Sequence, residues 1–300
     1  MTYDEVISAF FVPSPAGAVP PPVQDASPAR RLRDAIEPIA MHSVWSRLTN
    51  ERLAELGMDF MGAYTWSRAA GLGEPDAGVV VSSFAVFEPA MITGIYEQAR
   101  ATCDRDTLLA TRAEATIASL TDALGGADVA EVADHLATAA KAGDPTGRPL
   151  FAGISRQPWP DDPVGRLWRA CELIREHRGD SHIAASIARG LDPVEMNVLT
   201  EVWVVTPLGS YSASRAWTAE QLEAAADRLR AAGLLDGDAL TEVGRRERDA
   251  LEAQTDAMQA SIVDALGDHL DADVALLDEW SARCVAAGAF PPDVYKRAAG

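Results

Sequence analysis

Six consecutive residues, His177-Arg178-Gly179-Asp180-Ser181-His182, carry the densest set of functional groups in the chain: two imidazoles, a guanidinium, a carboxylate and a hydroxyl. Imidazole changes charge near neutral pH and a neighbouring carboxylate fixes its tautomer, so an Asp180 and His182 pair suits proton transfer. His177, Asp180 and His182 also offer nitrogen and oxygen donors of the type that hold a metal. Their spacing, however, departs from the one-turn His-x-x-x-His arrangement, and no distant further ligand is identifiable. An architectural reading competes: Gly179 ends one helix, Asp180 or Ser181 caps the next, and Arg178 makes a salt bridge. That reading accounts for the middle of the segment and leaves His177 and His182 unexplained.

The elements that must position these groups are helical. From Arg30 onward Ala, Leu, Arg and Glu recur at helical spacing with Gly or Pro between segments, so strands should be few and short. A helix is expected from about 162 to 178, stopping at Gly179, with Ser181 capping a short helix that ends at Gly190. Asp192-Pro193-Val194-Glu195 and Thr218-Ala219-Glu220-Gln221 both have the cap and third-position partner of a helix start. Asp236-Gly237-Asp238 has hairpin-tip chemistry, and a long helix should follow from Glu242 to about Leu266. The segment from Met1 to Pro28 holds six prolines and no Lys or Arg, which predicts an extended arm whose apolar patch, Val6 to Val12, docks on the body.

Self-similarity organises the rest. The residues Ala29 to His42 align without gaps on Val164 to His177 with six of fourteen identical, and the register continues through Leu56 with Leu191, Met61 with Met196 and Thr65 with Thr200. Ala118-Ser119 and Asp122-Ala123-Leu124-Gly125 correspond to Ala260-Ser261 and Asp264-Ala265-Leu266-Gly267. The expected organisation is an arm (1–28), a first repeat (29–125), a helix and Pro-rich connector (126–162), a second repeat (163–267) and a helical tail (268–300). A pseudo-twofold arrangement would bring the helices bearing the matched His42 and His177 together and leave a cleft between repeats. Trp45, three residues after His42, and Trp168, nine residues before His177, would wall that cleft, which suits a small apolar or aromatic molecule. The candidate ligand-binding residues are therefore His177, Arg178, His182, His42, Trp45, Trp168 and Asp180.

The run Leu222 to Leu235, followed by Leu240-Thr241-Glu242-Val243-Gly244-Arg245, resembles the recognition helix, wing and exit helix of the MarR-type winged helix. Through Gly147-Arg148-Pro149-Leu150-Phe151, Pro158-Trp159-Pro160 and the His177 to His182 segment, the chain also resembles an actinobacterial helix-turn-helix family of uncertain function. Together with the repeat, the resemblances imply a mainly α fold, a tandem duplication of a winged-helix-like domain with one or more short β-hairpin wings, and they leave the activity open.

Charge argues against the winged helix's usual partner. Asp and Glu total 45 against 26 Lys and Arg, a formal charge of -19, so nucleic acid and anionic membrane are disfavoured. The expected reading helix offers Glu220, Glu223 and Asp227 beside Gln221, Arg228 and Arg230, and the wing tip is acidic. Its counterpart in the first repeat, Pro89 to Arg100, shows Met91, Ile92, Ile95 and Tyr96, which suit packing. Arg245, Arg246 and Arg248 keep a MarR-like DNA-binding regulator as one alternative, and an enzyme or a metal or haem binder centred on His177 to His182 as another. His135 and His269 have no catalytic neighbourhood in the sequence. Cys103, Cys171 and Cys284 are isolated, so neither a disulfide framework nor a thiolate zinc site is indicated. No apolar run approaches the roughly 18 residues of a spanning helix, and Asp4 and Glu5 stand where a secretory leader would be basic. The expectation is a cytoplasmic, small-molecule-binding protein that does not read DNA, with its cofactor unspecified and a homodimer left open.

Overall fold

The computed structural model describes residues 2–14, 17–18 and 26–299; Pro20 to Pro22 lie outside the described residues. The chain is mainly helical. Its elements are α1 (Tyr3–Phe10), α2 (Pro28–Ala40), α3 (His42–Trp45), α4 (Arg47–Glu55), α5 (Phe60–Ala69), α6 (Ala77–Phe84), α7 (Pro89–Arg100), α8 (Arg105–Leu124), α9 (Ala130–Lys141) and α10 (Pro149–Ile154). There follow α11 (Pro163–Ala188), α12 (Pro193–Trp203), α13 (Ala219–Ala231), β1 (Leu235–Asp236), β2 (Ala239–Leu240), α14 (Glu242–Ala257), α15 (Ala260–Leu266), α16 (Leu270–Ala286) and α17 (Val294–Ala299).

Side-chain caps set many of these boundaries, as the sequence signals require. Asp162 accepts from the Gly165 amide at 2.9 Å, and both expected capping boxes form, Asp192 with Glu195 and Thr218 with Gln221. The hairpin tip also forms: β1 and β2 pair antiparallel, Leu235 with Leu240 and Asp236 with Ala239, while Gly237 takes φ +56°, a turn geometry that suits glycine. Among the described residues this hairpin is the only β-structure. The first half accordingly has no wing, because Asp104 caps α8 directly after the turn that follows α7.

Three expectations require correction. The N-terminal segment is not an extended arm throughout, since Thr2 and Glu5 form a capping box that opens α1. Its apolar patch does dock: Val6 is buried with Trp45, Phe60 and Phe290. The long helix after the wing divides into α14 and α15 at Met258 and Gln259. Most consequentially, α11 runs unbroken through Gly179. An interior glycine costs a helix about 1 kcal/mol, whereas the residues around it, from His177 to Ser181, are buried against neighbouring helices, and that packing prevails.

The corresponding stretch of the first half is broken for an identifiable reason. Helix α2 continues past Pro38 to Ala40, and the break comes at Ser46, whose extended backbone opens α4 by accepting from the Thr49 amide. At the aligned position, Ser181 donates to the His177 carbonyl inside the helix. One core runs through α2, α8, α9, α11, α15 and α16, and α2 packs along α11 at its centre. A second core fills the first half around Trp66 and Tyr96, and a third supports α12, α13 and β1.

Candidate functional site

A cavity of about 520 Å³ opens at the seam between the two halves, within the range of small-molecule sites. The first half supplies Trp45, Phe60 and Met61, along with Met91 and Ile95 of α7. From the second half come Arg175 of α11 and the segment from Ser210 to Ala216, and both chain ends contribute, Phe10 from α1 and Lys296 from α17. The walls are largely apolar and aromatic. Trp45 is the anchor: its ring lies 5.5 Å from Phe60 and 5.8 Å from both Phe10 and Phe11.

The segment that carries Tyr211 and Arg215 into this cavity is held by one buried carboxylate. Glu201 of α12 is fully buried and accepts from the Gly209, Tyr211 and Ser212 amides at 2.9, 2.5 and 2.7 Å and from the Ser212 hydroxyl at 3.0 Å. A short 3-10 turn, Ser212–Arg215, follows and ends at Ala216 with φ +62°, a left-handed conformation uncommon for alanine. The turn is stitched to the first half, because the Arg215 carbonyl accepts from the Glu88 amide at 2.9 Å. The Val86 carbonyl similarly accepts from Trp217 Nε1 and Asn197 Nδ2, each at 2.8 Å.

Charge is distributed unevenly around the cavity. Arg175 sits 3.2 Å from both Glu37 oxygens. Arg215 lies over the Tyr211 ring at 3.7 Å and beside Phe87 at 5.1 Å. The Lys296 ammonium sits 4.7 Å from Phe10, 4.8 Å from Tyr211 and 5.6 Å from Trp45. Burial, with Arg215 nearby, pushes Lys296 down to about 7 from an ordinary 10.5. A narrower cleft of about 160 Å³ adjoins the cavity and shares Tyr64, Phe87, Arg175, Tyr211 and Arg215 with it.

Of the seven residues singled out in the sequence, only Trp45 lines the larger cavity, and Arg178 and His182 line the cleft. Arg178 is bound to Glu252 at 2.7 Å and Asp256 at 2.8 Å, tying α11 to α14. His182 Nδ1 lies 3.2 Å from Thr255 Oγ1. His42, His177, Trp168 and Asp180 line neither. His42 Nε2 faces Ser119 Oγ at 2.9 Å, and His177 Nδ1 faces Gln259 Oε1 at 2.9 Å. Trp168 is buried between the Arg112 and Arg169 guanidinium groups, each 5.0 Å from its ring. Burial holds His42 and His177 down at about 4 and His182 at about 3, so all three imidazoles are neutral at pH 7.

The His177 to His182 segment acts instead as an interlock with the Gly147 to Phe151 motif. Asp180 accepts from the Phe151 amide at 3.0 Å, Arg148 donates to Ser181 at 2.8 Å, and the Phe151 ring meets His177 edge-on at 4.8 Å. Asp180 thus satisfies an amide in the first turn of α10, a cap made across the fold and not along the chain. Burial pushes its carboxyl up to about 7. Elsewhere, His135 faces Asp273 at 3.1 Å and stacks on His269 at 3.9 Å, a pairing the sequence does not announce. Among the described residues no group of three His, Cys, Asp or Glu side chains is placed to hold a metal ion, and no helix is long and apolar enough to cross a membrane.

On α13 and the hairpin of the second half the arginines are held by neighbouring acids. Arg228 is bound to Asp192 and Glu195, while Arg230 is bound to Glu223, Asp227 and the wing residue Asp238. Arg246 pairs with Glu242, and Arg248 is buried against Trp203 and Glu252, leaving Arg245 exposed. The model of a helix-turn-helix family matches residues 29–291. No curated protein and no solved structure matches the chain.

Proposed function

The chain belongs to this helix-turn-helix family, and from that premise we propose that it is a small-molecule-binding member whose reading face no longer engages DNA and whose ligand lies in the seam cavity. The observation that carries the reading is the cavity itself: about 520 Å³, walled mainly by apolar and aromatic side chains, and built from both halves. Trp45 is its principal contact. Arg178 and His182 face the adjoining cleft, whereas His42, His177, Trp168 and Asp180 line neither.

A duplication underlies the seam in this reading. Its support is the repeated sequence register and the matched packing of α5 on α7 and α12 on α13. Each matched histidine also bonds near the end of the long helical segment of its own half, His42 to Ser119 and His177 to Gln259. The MarR-like character rests on α13, the hairpin and α14 alone.

Filling the cavity tests the proposal. Met91→Trp places an indole in the chamber without touching an ion pair, and it is expected to weaken a neutral fluorescent probe, N-phenyl-1-naphthylamine, at least about tenfold. A wild-type chain that does not bind such probes, or a variant that binds them equally, would sink the reading. Regulation through DNA is the second reading, favoured by the family match and by the intact helix and hairpin geometry. Its test is salt-dependent binding to duplex DNA that is lost in Arg245→Ala.

A further inference from the structure

We infer that the occupant of the seam cavity is an apolar organic acid in its ionised form, with its anionic group received by Arg215 and Lys296. The inference rests on the ligand-binding reading above and adds a charge to the ligand.

Its basis is a local reversal of the molecule's charge. Three basic side chains, Arg175, Arg215 and Lys296, and one carboxylate, Glu37, line the cavity, and an anion beside Lys296 would favour its charged form. Glu37 is occupied by Arg175 through both oxygens. Among the described residues neither Arg215 nor Lys296 forms a salt bridge, although acids outnumber bases 45 to 26 in the sequence. The guanidinium of Arg215 donates only to the neutral Ser214 hydroxyl, and its buried Nε has no hydrogen-bond partner. Lys296 is surrounded by the rings of Phe10, Trp45 and Tyr211. Ring faces stabilise a cation weakly compared with a carboxylate at hydrogen-bond distance, so the pair retains capacity for an anion.

The remaining wall defines the rest of the ligand. Away from these side chains the lining is mainly apolar, with Phe60, Met61, Met91 and Ile95 around Trp45 and only scattered hydroxyls from Tyr64, Ser210 and Ser214, too few to match a sugar or to receive a second charged group. A hydrated inorganic anion would leave that surface unfilled. A single carboxylate or sulfonate on a hydrocarbon or aromatic body satisfies both ends, the head at Arg215 and Lys296 and the body against Trp45.

The experiment compares two fluorescent probes with the same ring skeleton. 1-Anilinonaphthalene-8-sulfonate carries the anion, and N-phenyl-1-naphthylamine lacks it. Titrated against the full chain, the sulfonate should bind with a stoichiometry of one and at least about tenfold more tightly than the neutral amine, and decanoate should displace it. Arg215→Gln and Lys296→Met should each erode that preference by weakening the sulfonate several-fold more than the neutral amine, with the circular dichroism spectrum retained. Equal affinity for the two probes, or an undiminished preference in both variants, overturns the inference while the cavity reading stands. Failure of both probes to bind overturns the cavity reading, and this inference with it.

Discussion

The arginines on the reading face and the cations of the seam cavity have opposite electrostatic fates in one acidic protein. On the reading face, Arg228 and Arg230 together take five acidic partners. Within the cavity, Arg215 and Lys296 meet aromatic rings and form no salt bridge among the described residues, Asp293 and Glu37 acting on Lys296 only at longer range. Net charge therefore says little about what either surface attracts. A cation already saturated by neighbouring carboxylates offers phosphate almost nothing, whereas one left without a partner in an apolar wall has a strong incentive to acquire one. Helix α13 and the hairpin keep their arginines within their own acids, and the basic groups without an ion pair lie at the join.

The most disruptive test removes the organiser of the cavity side. Glu201→Ala leaves three backbone amides without their acceptor, and it is expected to destabilise the chain by about 3 kcal/mol in chemical unfolding. Hydrogen exchange in residues 209–216 should rise sharply while β1 and β2 keep their protection. Equal loosening of both regions would break the contrast between them.

A smaller effect should appear at Asp180, a buried carboxylate against α10, away from the cavity, with one oxygen unpartnered. Burial raises its folded-state value from 3.8 to about 7, so the folded chain holds an extra proton relative to the unfolded chain across that interval. Its favourable contribution is complete below about 3.8 and is lost as pH rises toward 7. Asp180→Asn does not titrate, and relative to wild type it should gain on the order of 2 kcal/mol between pH 5 and pH 8. A stability difference that stays constant over that range would show that Asp180 is ionised throughout.

The smallest changes are expected on the reading face. Wild-type protein should give no duplex DNA complex at about 0.15 M salt. Replacing Glu223, Asp227 and Asp238 together by Gln, Asn and Asn should release Arg230 and produce weak binding that salt abolishes. Robust wild-type binding under the same conditions would undo the claim that these acids close the face.

The sequence makes the second half's helix and hairpin legible because their signals are local. Asp192 and Glu195, Thr218 and Gln221, and Gly237 each act within a few residues of themselves. The continuity of α11 is hidden for the converse reason. Gly179 is a local breaker, but the Phe151 amide, Arg148 and Gln259 that hold the surrounding segment come from distant parts of the chain. Trp45 could be found as an aromatic beside a matched histidine. Phe10, Tyr211, Arg215 and Lys296 could not, since they arrive from an N-terminal helix, an irregular turn and a C-terminal helix that share no periodicity. Arg215 carries one faint signal, its place two residues before the Trp217 that anchors to Val86.

Both ends of the chain form part of the cavity wall. The helices α1 and α17 span eight and six residues, lengths that hold no helix in water without tertiary support. Fraying of a short helix outside the shared core is fast and local compared with opening that core. A ligand seated against Phe10 and Lys296 would consequently leave at a rate set by release of these two short latches, and its residence time would respond to substitutions that loosen either helix even when global stability did not.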